Sequence, residues 1–289
     1  VPFTPGGATD IVARFLAEAL RERVGQPFLV ENRSGAGGNV GTDYVAKSGP
    51  DGHTLVLNPP GPFAINDYLY RSMPFDPVQD IAPVALVAAV PIVLMVPTSS
   101  PAHSVQELIA LAKREPGKLA FGSSSVGGTN HLAGELLRTM AGIDIVHVPY
   151  RGAAPAMTDL IAGRLQIYFD NMPGALPQVR DGRVRAIAVA GAQRARALPD
   201  LPTVAESGLP GFEASSWFGL GAAGTTPPAL VDRITGEVSA VMQGSALLER
   251  LADVGAEPGT LFGPDFVRYV AAERQKWGQL VRASGARAD

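Results

Sequence analysis

The chain has 289 residues, 46% hydrophobic and 18% charged, with a formal net charge of −3, which excludes a disordered chain and leaves no basic footprint for a nucleic-acid partner. Its length suits two medium domains, each with its own core. The absence of cysteine excludes disulfides, thiolate metal sites and a cysteine nucleophile.

Residues 1–10, Val-Pro-Phe-Thr-Pro-Gly-Gly-Ala-Thr-Asp, pass through two prolines and two glycines directly into an amphipathic helix. Ile11, Val12, Phe15, Leu16, Ala19 and Leu20 form its apolar stripe, with Arg14, Glu18, Arg21 and Glu22 opposite. The first N–H groups of a helix lack internal partners and sit at the positive end of its dipole, so a turn without bulky side chains can receive a carboxylate or phosphate there. Residues 27–30 read as a short buried strand, and the glycine-rich stretch 34–39 leads into a helix carrying Val40, Tyr44 and Val45. A dinucleotide fingerprint fails there, because Val40 stands where the third glycine would fall. Residues 54–57 form the next expected strand, and Asn58-Pro59-Pro60-Gly61-Pro62 a rigid loop at its carboxyl end, the edge where open α/β sheets place ligands.

The uncharged run 81–96 contains Pro83 and Pro91 and falls short of the roughly 20 residues of a membrane-spanning helix, so it predicts two buried strands, near 84–87 and 92–96. No basic segment followed by an apolar one opens the chain, so a leader peptide is expected to be absent or already removed. Pro97-Thr98-Ser99-Ser100-Pro101 reads as a crossing between domains. Ser104 and Glu107 have capping-box spacing ahead of a helix that stops at Pro116-Gly117. A strand at 119–121 ends in Gly122-Ser123-Ser124-Ser125-Val126-Gly127-Gly128-Thr129-Asn130-His131, again glycines and hydroxyls ahead of a helix. The strand 145–148 delivers a third such loop, Pro149-Tyr150-Arg151-Gly152-Ala153-Ala154, before a helix from about Pro155 to Ala162. Strands at 165–169 (followed by Asp170-Asn171), 184–190 and 217–222 come next, then helices carrying Leu230 to Val241, Leu247 to Leu251 and Phe266 to Trp277. The alternation of strands and helices predicts parallel α/β layers.

For catalysis the chain offers little. There is no G-x-S-x-G, His131 and Glu135 form a pair without HExxH or a third metal ligand marked by spacing, and His147 within an apolar strand reads as structural. Three loops rich in N–H and hydroxyl donors and poor in acid–base groups suit binding, with no cofactor and no metal expected.

On the stretches 2–10, 30–39, 50–55, 64–66, 75–77, 127–132, 147–152 and 198–203, taken in their order and spacing, the chain resembles the Bug-type periplasmic substrate-binding proteins of tripartite tricarboxylate transporters. The resemblance covers essentially the whole sequence. It implies a two-domain Venus-flytrap, the α/β periplasmic-binding-protein fold with an interdomain ligand cleft, in which residues 1–97 plus 222–289 form the first domain and 98–221 the second. Carried over by position, Phe3, Thr4, Gly7, Ala8, Thr9 and Asp10 form one wall of the cleft. Ser124, Gly128, Thr129, Asn130 and His131, then Tyr150, Arg151, Gly152 and Ala153, form the other, with Asp170 at a strand end nearby.

The implied function is capture of a small organic carboxylate outside the cytoplasm, in the periplasm, by a monomer that delivers it to membrane permease subunits. A sensor subunit for a membrane signalling partner and an acyl-transfer enzyme are the alternatives. Arg151 is the sole permanent cation in the three loops, which favours a mono- or dicarboxylate over a tricarboxylate. Two departures from the family accompany this. Its first strand precedes the Val-Pro-Phe segment, so a central sheet position is expected to be empty here, at a cost in ladder bonds and apolar burial. The proline-rich loop 58–62 also offers fewer hydroxyl donors than the family's.

Overall fold

A computed structural model describes residues 1–284 and 287–288. Helix α1 (Ala8–Val24) buries Val12, Leu16 and Leu20 on one face and stops where Gly25 turns left-handed at φ 71° and returns its N–H to the Arg21 carbonyl. Residues 27–30 are irregular and not the buried strand expected from their composition. Leu29 is 86% exposed, and the neighbouring backbone meets the chain start, with the Val1 amine donating to the Glu31 carbonyl and Arg33 N–H to the Val1 carbonyl. A short 3-10 turn (Ala36–Gly38) feeds α2 (Asn39–Ala46), which leads to β1 (Leu55–Asn58). The proline-rich loop that follows winds into a π-type turn (Gly61–Ile65) and the single-turn α3 (Asn66–Leu69).

Strand β2 (Ile81–Pro97) is one continuous element of 17 residues where two strands were expected. From Ile81 to Pro91 it pairs antiparallel with β7 (Ser215–Ala223), and from Ile92 onward it lies between β5 (Ile167–Asn171) and β6 (Val184–Val189), antiparallel to both. Pro83 falls at a register shift and Pro91 at the exchange of partners, so neither missing N–H interrupts a regular ladder. Side chains alternate accordingly. Ile92, Leu94 and Val96 enter a core with Leu108, Phe121, Leu137 and Phe169, while Val93 and Met95 face the core that holds Leu16, Met172 and Phe218.

Helix α4 (Val105–Arg114) opens as its Ser104-Glu107 spacing predicts: the Ser104 hydroxyl accepts from Glu107 N–H, and the Glu107 carboxylate accepts from His103 N–H. Strand β3 (Ala120–Ser123), α5 (Thr129–Ala141), β4 (Val146–Pro149) and α6 (Ala153–Ile161) follow. Helix α7 (Met172–Arg180) was not anticipated, since it carries Pro173, Gly174 and Pro177. Burial of Met172, Ala175 and Leu176 outweighs those poor propensities.

After β6 and β7 come α8 (Pro228–Val241), α9 (Ser245–Asp253), the short β8 (Glu257–Pro258) and α10 (Pro264–Ser284). Parallel pairing is confined to β3 with β4 and β5; the pairs made by β2, and β1 with β7, are antiparallel. The expected all-parallel layering therefore needs correction. Local alternation of strand and helix does not register one long strand that runs from one sheet into the other. The result is two α/β lobes sharing β2, and no described helix is long and apolar enough to cross a membrane. At the end of the first lobe's sheet, β1 borders a groove of ≈ 560 Å³ lined by α1 and residues 26–31.

The returning α10 is fixed by aromatic contacts. Phe266 packs edge-on against Trp217 and Phe63 at centroid distances of 5.8 and 5.9 Å, and the Trp217 and Trp277 indoles both donate to Glu273. Replacing Phe266 by alanine is expected to lower unfolding free energy by about 3–5 kcal/mol in urea titration. A loss below about 1 kcal/mol would show that this ring does not anchor the helix.

Candidate functional site

The first wall is built by the loop that enters α1. Gly6 adopts φ 79°, and its N–H donates to Asp10 Oδ2 at 2.9 Å, so the carboxylate of the first helical turn folds the loop back over its own helix. Arg14 and Asn32 also donate to Asp10, and Asn32 ties on the Phe3 carbonyl. Burial alone would raise the Asp10 carboxyl, but hydrogen bonds from Arg14, Gly6 and Asn32 outweigh it and hold the group below its usual range. Beside this loop stand Gly37, held through its carbonyl by Asn66 Nδ2 at 3.1 Å, and Pro59 and Gly61 at the end of β1.

The second wall is built from the carboxyl ends of β3, β4 and β5. Beyond the sheet, Tyr150 N–H donates to the Ser123 carbonyl and Gly152 N–H to the Ser124 carbonyl, both at 2.9 Å, so two loops are zipped into one piece. Asn130 donates to Ser124 Oγ at 2.7 Å from the first turn of α5. Tyr150 points away, donating to Asp159 at 2.6 Å; burial and that carboxylate push its hydroxyl up to about 12. Gly152, at φ 123°, comes close to the opposite wall: a Cβ there would lie 2.1 Å from Thr4 Oγ1.

Between the walls lies a cavity of ≈ 40 Å³. Of the residues singled out from sequence, Phe3, Thr4, Gly7, Ala8, Thr9, Ser124, Gly128, Thr129, Asn130, Ala153 and Asp170 line it together. Tyr150, Arg151 and Gly152 line a wider adjoining cavity of ≈ 350 Å³ that shares Phe3, Gly37, Ser124 and Ser125 with the first. Asp10 and His131 lie behind the lining, Asp10 securing the α1 loop and His131 the α5 loop. Gly37, Pro59, Gly61, Ser125 and Asn171, not singled out individually from the sequence, complete the inner lining. A signal existed for most of them, since 34–39 is glycine-rich and 58–62 and 171 follow strand ends.

Helices α1, α5 and α6 all begin at this cavity, each with a glycine as its N-cap (Gly7, Gly128, Gly152) that offers no side-chain cap, although in α5 the His131 N–H is taken by Asn130 Oδ1 at 3.0 Å. The inner lining contains no lysine or arginine. It is therefore positive by dipole and not by charge, which suits an anion. Asp170 is the exception, 2% exposed at the end of β5, its carboxyl pushed up to about 7 by burial against the opposing effects of Asn171 N–H and Tyr168. Among the described residues no group of three or more His, Cys, Asp or Glu is disposed to hold a metal.

Under the α5 loop His131 and His147 stack at 4.0 Å between ring centroids. Gly127 N–H donates to His131 Nδ1 at 3.0 Å, so the proton of the neutral ring sits on Nε2; His147 Nε2 meets Ser123 Oγ at 2.7 Å. Burial, with Arg138, lowers His131 to about 4; burial, with His131, lowers His147 to about 4. A base whose folded pKa lies below its unfolded value of about 6.5 binds fewer protons when folded, so stability is intact above about pH 6.5 and falls as pH drops toward 4. The contribution of His131 is about 3 kcal/mol. Urea titrations between pH 7 and 4.5 are expected to show this decline, and a shallower one in His131→Gln; equal slopes would remove the histidine pair as its cause.

Two α/β lobes that exchange a long strand, with a cavity walled from both sides by strand-to-helix loops, define the periplasmic-binding-protein class of solute receptor. Within that class the chain belongs to the tripartite tricarboxylate transporter receptor family, TctC, whose model matches residues 12–286. The protein BugT of Bordetella pertussis is 39% identical over 289 residues, spanning 99% of this chain and 88% of that protein. The structure of Rpa4515 of R. palustris with adipate superposes with a TM-score of 0.95 at 42% identity, covering 99% of this chain and 95% of the other. MatC of Rhodopseudomonas palustris with bound malate superposes with a TM-score of 0.89 at 31% identity, covering 97% of each. The family is one of solute receptors, so the chain is a binding protein and not an enzyme.

Proposed function

We propose that this protein captures a small mono- or dicarboxylate between its lobes in the periplasm and, as a monomer, presents it to the permease subunits of a tripartite tricarboxylate-type transporter. The observation that carries the reading is the convergence of three helix N-termini with glycine N-caps, α1, α5 and α6, on one cavity. Adipate and malate in two related structures support a carboxylate as the ligand class.

In this reading the inner cavity residues from Phe3 to Thr9, Ser124 to Asn130, Ala153 and Asp170 hold one carboxylate, and Arg151 in the adjoining cavity faces the remainder of the solute. A fully ionised tricarboxylate would bring more charge into the inner cavity than neutral donors can compensate. The lobes correspond to residues 1–97 with 222–289, and 98–221. The exchange of partners by β2 at Pro91 and Ile92 supports a crossing just ahead of the first boundary.

A thermal-shift screen with adipate, malate, citrate and a monocarboxylate of equal length, followed by calorimetry, tests this. A mono- or dicarboxylate at a hundredfold excess over Kd should stabilise the fold by about 2.7 kcal/mol. A folded protein whose Tm no carboxylate moves, or one that binds citrate far more tightly than the others, would overturn the reading.

A further inference from the structure

The lining of the inner cavity carries a single ionisable side chain, and its sign is the wrong one for an anion site: Asp170. Its Oδ1 accepts Asn171 N–H at 2.9 Å. The point where a Cβ on Gly174 would sit is 3.0 Å from Asp170 Oδ2 and 3.7 Å from the Ala8 amide nitrogen. The carboxyl and the first amide of α1, one of the donors an incoming carboxylate would use, thus both lie around Gly174 and border the same cavity.

The groups around it are neutral. On β5 itself, the buried Tyr168 hydroxyl has no partner in hydrogen-bond geometry, although it still favours the charged carboxyl. From β2 the register partner is Val93. Helix α5 offers Asn130, while its His131 is occupied by Gly127 N–H and the ring of His147. Helix α7 offers Asn171 and Gly174, and the acid of α1, Asp10, is bound by Gly6, Arg14 and Asn32. With no cation in the lining, two ionised carboxylates in so small a space repel each other strongly, which favours a proton on one of them.

We propose that Asp170 is a specificity-determining hydrogen-bond donor: in the complex it holds a proton, gives its O–H to a carboxylate oxygen of the solute, and each capture event takes up one proton from solvent. This rests on the carboxylate reading above and adds to it. The balance is Asp170 carboxylate plus one proton plus solute carboxylate, giving a neutral carboxylic acid hydrogen-bonded to the solute anion. The free protein is prepared for this, since burial already brings Asp170 up to about 7. A carboxylate solute ionises well below that, with a pKa of about 4, so Asp170 is the member of the pair that takes the proton.

Calorimetry of adipate and malate binding in phosphate and in Tris, whose ionisation enthalpies differ, at pH values from 6 to 9, reads the linkage directly. Uptake is expected to be close to one proton at pH 8 and small at pH 6, with affinity falling about tenfold per pH unit above about 8. Asp170→Asn keeps a donor without a titration. It should bind with no proton uptake and, at pH 8, about tenfold more tightly than the native protein. Asp170→Ala, its fold checked by circular dichroism, should lose affinity at every pH. Carboxylate binding without proton uptake at pH 8 would overturn the proposal and leave the carboxylate reading standing. So would an Asp170→Asn protein that is folded but no longer binds, the result expected if an ionised Asp170 holds an ammonium group. Failure of every carboxylate to bind the native protein would remove both.

Discussion

The structure depends on one backbone ladder that changes partners without a break. Between Pro91 and Ile92 β2 leaves β7 and enters the space between β5 and β6. A strand has two hydrogen-bonding edges and two faces, and β2 uses all four in its second half: β5 and β6 on its edges, and one core on each face. The lobes are thereby coupled through covalent chain and buried ladder, while the loops that wall the cavity lie beyond the strand ends and can carry ligand chemistry.

That division explains the electrostatics of the cleft. Helix N-termini deliver partial positive charge as part of the backbone, fixed by the fold and requiring no buried ammonium or guanidinium. Glycine N-caps at α1, α5 and α6 supply no side chain of their own to satisfy those N–H groups, and apart from His131 N–H, taken by Asn130, leave them open to a ligand. Two acids nearby, Asp10 and Asp159, serve another purpose. Asp10 holds the α1 loop in shape, and Tyr150 braces α6 through Asp159.

Helix α1 and the capped start of α4 were legible in the sequence because their signals are local: a 3.6-residue apolar period and a Ser-to-Glu spacing of three. The unity of β2 was not, because two prolines inside an apolar run ordinarily end strands, and only the partners reveal that Pro83 and Pro91 sit where no regular ladder is broken. Residues 27–30 misled in the opposite sense, having strand composition without a ladder to join. Helix α7 was hidden by its prolines and rescued by burial. At the site, the loops were readable from glycine and position, whereas the separation of Asp10 and His131 from the lining required side-chain directions that spacing does not encode. The stacking of His131 on His147 joins a helix to a neighbouring strand, a tertiary contact invisible in either segment alone.

Gly152 approaches Thr4 across the cleft with no side chain of its own. Because the loops carrying Gly152 and Ser124 are zipped together, the second wall meets the first as a solid block, and bulk at this contact is one of the features that set how far the two can approach. Hydrogen at position 152 and a hydroxyl at position 4 thus act as a spacer of minimal thickness. Side-chain volume at this contact therefore bears on the height of the chamber between the walls, and through it on the length of solute that fits.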